Sequence, residues 1–203
     1  MNQIGVLVPT VVVLAGGEAR RFGSDKMLAV HQGRSLLDRL LDAIDPTWPI
    51  IAVGPTRPVS RTVTWTREEP PGGGPLAAIA AAGHLLAPHS LAGSEALAHL
   101  REREHIVLVV AGDMPWAAPA LPQLLDALRA HPEHDAAIAL DDEGHLNPLL
   151  AAYRLGALTR CLPNPAHGHR ATLLLTLPHV EVAVTGDAGR DVDTPADLRD
   201  LSD

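Results

Sequence analysis

The sequence predicts an α/β fold of three layers, with a mostly parallel sheet between helices. Short apolar runs of strand character alternate with segments whose apolar residues recur at helical spacing. Two of the runs, Val11–Leu14 and His105–Gly112, are apolar almost throughout, as strands covered on both faces are. Glycine and charge follow both: LAGGEARRFGSDK from Leu14 to Lys26, and GDMP from Gly112 to Pro115.

The elements follow in order. Val11–Leu14 is the first strand. Ser35–Ile44 has helical periodicity, with Ser35 suited to cap it. Pro49–Gly54 and Thr62–Thr66 read as the next two strands. Pro75–Leu86 is a helix with proline at its first position. His105–Gly112 is the strongest strand, and Ala120–Ala130 is helical. Asp135–Leu140 and Pro148–Tyr153 are strands joined through an Asp142-Glu-Gly turn. Thr172–Leu177 is a short helix and Val180–Val184 a last strand. Thr194 caps a last helix that begins with Pro195. The expectation is one domain over 1–203, with a polar, helix-prone surface excursion at about 87–104.

Composition narrows the function. A net charge of −8 without a Lys/Arg-rich run argues against a general nucleic-acid binder. Positive charge clusters near the N-terminus, which points to a small, locally held anion. The lone Cys161 has no disulfide partner, favouring a reducing compartment. No secretory signal is recognised and no apolar run reaches membrane-spanning length, so the expectation is a cytoplasmic protein with no membrane partner.

In such sheets, ligands bind beyond the carboxyl ends of the strands. LAGGEARRFGSDK is neither a P-loop nor a dinucleotide fingerprint. Its glycines let backbone N–H groups approach phosphate closely, and Arg21 and Lys26 supply cations. A strand-to-helix loop with solvated charges is the alternative. Asp113, at the end of the strongest strand, sits where a Mg2+ ligand would, or else starts a turn. Asp191 and Asp193 alternate in an extended segment, so both face one side. One can complete a metal site while the other binds substrate. Gly72-Gly73-Gly74 allows close backbone approach to a ring or ribose. The eleven histidines show no zinc spacing.

Together these stretches resemble the molybdenum cofactor guanylyltransferases and their nucleotidyltransferase relatives. LAGGEARRFGSDK is similar to the family's L-A-G-G-x-S-x-R-[MF]-G-x-D-K, GGGPLAAI to its G-P-L-A-G-I, AGDMP to its G-D-x-P, and RDVDTPADL to its N-x-N-T-P-E-D-L. Ala19 replaces a serine, Ala78 a glycine, and Asp191 and Asp193 two asparagines. The aspartates resemble the cytidylyltransferase branch, whereas Gly16-Gly17 does not.

The resemblance implies a Rossmann-like nucleotidyltransferase fold with one antiparallel strand. It also implies a Mg2+-dependent transfer of GMP from GTP to molybdopterin that releases pyrophosphate. Leu14, Ala15, Gly16, Gly17 and Gly74 would line the nucleotide. Arg21 and Lys26 would hold its phosphates, and Glu69 would contact the nucleoside. Asp113, with Asp193, would bind the metal. Asn147, Arg170 and Asp191 would face the pterin. A cytidylyltransferase, another phosphorylated acceptor, and a non-catalytic nucleotide-binding module remain alternatives. The expected state is a monomer or weak homo-oligomer that meets other cofactor-biosynthesis proteins transiently.

Overall fold

A computed structural model describes residues 8–17, 25–86 and 105–199. A seven-stranded sheet forms its centre, built from β1 (Thr10–Leu14), β4 (Ile50–Val53), β5 (Thr64–Thr66), β6 (Ile106–Ala111), β7 (Ala136–Leu140), β8 (Leu146–Arg154) and β9 (His179–Ala183). The order is β5-β4-β1-β6-β8-β7-β9. β8 runs antiparallel to both β6 and β7, while every other pairing is parallel. This is the mostly parallel α/β sheet with one reversed strand that the sequence predicts.

Helices cover both faces. α1 (Leu36–Ala43) and α3 (Ala120–Ala130) pack with alternate β1 residues Val11 and Val13. α2 (Pro75–Leu86) and α4 (Leu155–Cys161) pack with Val12 and Leu14 on the other face. The period-two alternation of β1 thus feeds two separate cores, which explains why the strand is apolar from Val11 through Leu14. Ser35 caps α1 as expected: its Oγ accepts the Asp38 N–H at 3.0 Å.

Three features were not expected. Val30–His31 (β2) and Arg34–Ser35 (β3) form a small antiparallel hairpin. α4 follows β8 without a break. Thr172–Leu177 is realised as a 3-10 helix, Ala171–Thr176. The excursion expected at 87–104 lies outside the described residues.

The sheet order locates the ligand edge. From β1 the chain moves outward through β4 and β5, then returns to β6 on β1's other side. The switch point therefore lies between β1 and β6, where sheets of this kind form their ligand crevice, beyond the carboxyl ends of the strands. The Leu14 carbonyl at the end of β1 accepts the Gly112 N–H at the end of β6, at 3.0 Å.

Candidate active site

At that switch point Lys26 meets two carboxylates. Its Nζ lies 2.8 Å from Asp113 Oδ2 and 2.8 Å from Asp193 Oδ1. Of the 16 lysines and arginines in the chain, Lys26 is the only lysine. It is buried, 9% exposed, and starts a 3-10 turn, Lys26–Leu28. Asp25 caps that turn by accepting the Met27 N–H at 3.1 Å.

Local sequence brings the three groups together. A side chain on Gly112 would begin 3.0 Å from Met27 Sδ and 3.1 Å from the Leu14 carbonyl. The absence of a Cβ lets the Lys26 turn lie against the end of β6, next to Asp113. Asp193 arrives from the C-terminal segment. Val192 donates its N–H to the Asp113 carbonyl at 3.0 Å. The Val192 side chain is fully buried against Leu36, Trp116 and Leu198. Thr194 and Asp197 then close a capping box on α5 (Pro195–Arg199): Thr194 Oγ1 accepts the Asp197 N–H at 3.2 Å, and Asp197 Oδ2 accepts the Thr194 N–H at 2.6 Å.

Electrostatics follows from this crowding. Burial works against the Lys26 charge, but the hydrogen bonds and charges of Asp113 and Asp193 outweigh it and raise its pKa above the ordinary lysine value. Burial first, then repulsion from Asp193 and Asp113, pushes the Asp191 carboxyl up from its ordinary range. Three carboxylates gather around a single ammonium, and such an excess favours a further cation.

Mg2+ takes one or two protein carboxylates and completes its shell with water and substrate phosphates. Asp113 and Asp193 fit that donor set. Among the described residues, no three or more His, Cys, Asp or Glu side chains form a metal site by themselves.

A second part of the crevice lies beside Gly16. A side chain there would begin 3.7 Å from the Val53 carbonyl and 4.0 Å from Glu68 Oε1. Glu68 is 8% exposed. Its Oε1 accepts the Gly72 N–H at 3.0 Å, while its buried Oε2 has no partner among the described residues. Glu69, which the resemblance nominated, is exposed. His167 lies over Gly73, and Gly168 donates its N–H to the Gly73 carbonyl at 2.9 Å.

The remaining expected residues fall around this crevice or outside it. Leu14 and Ala15 are buried at its floor, Gly16 and Gly17 reach its surface, and Gly74 is partly exposed before α2. Asn147 stands at the start of β8, beside the irregular register between Ile138 and Ala139. Its Oδ1 accepts the Leu149 N–H at 2.9 Å, and its Nδ2 lies 3.7 Å from Met114 Sδ. Arg170 is exposed, two residues beyond Gly168. Arg21 lies outside the described residues.

Sequence reasoning missed Arg57, and of the two glutamates after the third predicted strand it chose the exposed Glu69 over the buried Glu68. The Arg57 guanidinium is buried and bonded to Asp25 and Ala15. The solitary lysine was the one signal in composition that marked Lys26 apart from the chain's other cations.

Residues 11–180 match the family model described as the MobA-like NTP transferase domain. The chain belongs to that family. It is a nucleotidyltransferase by membership, as the four-motif resemblance predicts. A Deinococcus radiodurans relative named a probable molybdenum cofactor guanylyltransferase is 29% identical, over 95% of this chain and 93% of its own. The fold is shared with an Archaeoglobus fulgidus molybdopterin-guanine dinucleotide biosynthesis protein A, at TM-score 0.66 and 22% identity, covering 94% and 95% of the two chains. A Mycobacterium tuberculosis protein crystallised in complex with manganese matches at TM-score 0.61 and 20% identity, covering 96% and 98%. Among the described residues, no helix is long and apolar enough to cross a membrane.

Proposed function

We propose that the chain transfers GMP from GTP to the terminal phosphate of molybdopterin, using Mg2+ and releasing pyrophosphate. The observation that carries this reading is Lys26 held between Asp113 and Asp193 at the switch point. A phosphate oxygen of the acceptor attacks the α-phosphorus of GTP, and the bond to the pyrophosphate oxygen breaks. Transfer of this kind is accelerated mainly by positioning and charge stabilisation. Bound Mg2+ would supply charge neutralisation on the phosphates, held by Asp113 and Asp193. Lys26 is the ammonium that meets the negative charge growing on the leaving pyrophosphate. Asp191, Asn147 and Arg170 orient the pterin.

Glu68 supports guanine as the base. A buried carboxylate oxygen without a partner is costly unless a donor reaches it. Guanine offers adjacent N1–H and N2–H donors to such an acceptor, and cytosine offers no such pair. Gly16, with no side chain, leaves room beside Glu68 for a purine. The four curated relatives similar to this chain carry the guanylyltransferase name, which agrees with that choice.

The test is pyrophosphate release with GTP, CTP and ATP, each offered with molybdopterin or with phosphorylated sugars and alcohols. GTP with molybdopterin is expected to be the best pair. Faster release from CTP moves the chain to a cytidylyltransferase assignment, which the aspartates at 191 and 193 would then explain.

A further inference from the structure

We propose that Arg57 is a positioning residue for Lys26, a role that rests on the proposed transfer reaction. Arg57 stands in the turn after β4 and makes no contact with Lys26 in the bonds described. Its Nε donates to Asp25 Oδ2 at 2.7 Å. Its Nη1 donates to the Ala15 carbonyl at 2.6 Å and to the Pro55 carbonyl at 3.2 Å. Ala15 and Asp25 are the residues that enter and leave the glycine-rich stretch 16–24. One guanidinium thus ties the end of β1 to the residue that caps the Lys26 turn.

The division of labour on Asp25 makes the link mechanical. Its Oδ1 holds the Met27 N–H and so fixes the first turn beyond Lys26. Its Oδ2 is anchored by Arg57. Loss of Arg57 frees the cap, and with it the direction in which Lys26 leaves the backbone. Arginine suits this position because its planar fork can serve acceptors on separate segments at once, which an ammonium does poorly. The Arg57 side chain is 7% exposed, and its Nε and Nη1 are already engaged by Asp25, Ala15 and Pro55. That burial argues for support of the lysine over direct phosphate binding.

The second support comes from Gly54, also in the turn after β4. A side chain there would begin 2.6 Å from the Ala15 carbonyl oxygen. Ala15 in turn donates its N–H to the Val53 carbonyl at 2.8 Å. The backbone after β4 is therefore pressed onto Ala15, and Arg57 reaches past it to Asp25.

The experiment compares Arg57→Ala, Arg57→Lys, Asp25→Asn, Lys26→Ala and the Arg57→Ala/Lys26→Ala double variant. Three quantities are measured: pyrophosphate release, thermal melting, and the rate at which an amine reagent at fixed pH labels Lys26. Lys26 is the only lysine, so its peptide reports the position directly. In folded Arg57→Ala, kcat is expected to fall by roughly a hundredfold, since a small misplacement of a charge-stabilising group has that effect. The nucleotide KM should change less, and the double variant should be no slower than Lys26→Ala. Lys26 should be labelled faster than in the wild type, with Asp25→Asn shifting both readouts in the same direction.

A double variant that multiplies the two losses would mean that Arg57 acts independently of Lys26, and overturns the inference. So does unchanged kcat in folded Arg57→Ala. If that variant does not melt cooperatively, Asp25→Asn and Arg57→Lys carry the same comparison. If the wild type releases no pyrophosphate with any pair tested, the proposed reaction fails, and the labelling rate alone decides: an unchanged rate rejects Arg57 as the anchor.

Discussion

A lysine between two carboxylates has a reason to be a lysine. An ammonium is a compact point charge with three donors, and here its Nζ stands 2.8 Å from both partners. A guanidinium is wider and planar, and would push Asp113 and Asp193 apart. Lys26→Ala is expected to lower kcat by roughly two orders of magnitude, the usual loss of one donor aimed at developing charge. Lys26→Arg should fail to restore it, although the charge is kept. Steady-state rates of the two variants check this, and a fully active arginine variant would reduce the role of Lys26 to charge alone. Glu68 raises a different expectation. Replacing it with glutamine keeps the shape but exchanges one carboxylate oxygen for an amide donor. The proposed preference for GTP over CTP should then fall by roughly tenfold or more, as a mismatched buried polar edge costs about 1–3 kcal/mol. Calorimetric titration of each nucleotide with Mg2+ measures it, and an unchanged ratio would remove Glu68 from base selection.

At the scale of elements, the Asp191-Val192-Asp193 segment shows how a coil can be held as firmly as a strand. Val192 is its peg, fully buried between two exposed aspartates, of which Asp193 pairs with Lys26. Val192→Ala should cost roughly 1–2 kcal/mol in stability, from the lost burial of two methyl groups. It should also lower kcat, because Asp193 loses its anchor beside Lys26. Urea unfolding with parallel rate measurements tests the pair, and a destabilised variant with full kcat would break the link. The elements legible in the sequence were those whose pattern is local. β1 and β6 announced themselves as apolar runs, and Ser35 and Thr194 as caps within reach of their own helices. α4 did not, because it begins straight from β8 at Arg154 with no side-chain cap, and carries Gly156 in its first turn. The β2–β3 hairpin rests on two residues a side and a Gln32-Gly33 turn at φ 51° and 79°, too short for any periodicity. Asp113 and Lys26 were legible because each follows a strong strand. The Arg57 link was not, since its partners lie 32 and 42 residues away in sequence.

Across the whole molecule, the two ends of the parallel sheet have different duties. The carboxyl ends of β1 and β6 carry Lys26 and Asp113, whereas their amino ends carry a polar pair of structural character. Thr10 Oγ1 and His105 Nε2 lie 3.0 Å apart there, joining the starts of the two central strands. Burial holds the His105 pKa below the ordinary histidine value of 6.5. The folded chain therefore takes up a proton at lower pH than the unfolded chain does. As pH falls through about 6.5, the unfolded state gains the proton first, so stability is lost from that point down to the folded pKa. Above 6.5 the imidazole is neutral in both states and the contribution is complete. His105→Gln removes the titration while leaving a polar side chain near Thr10. The melting temperature of the wild type should exceed that of the variant by most near pH 7.5, and the gap should narrow steadily toward pH 5. Other titrating groups are common to both proteins and cancel in the difference. Turnover at the opposite end of the strands should show the same pH profile in both. A melting gap that stays constant with pH would mean that His105 titrates alike in the folded and unfolded chain, and an altered rate profile would mean that the two ends of the sheet are not independent.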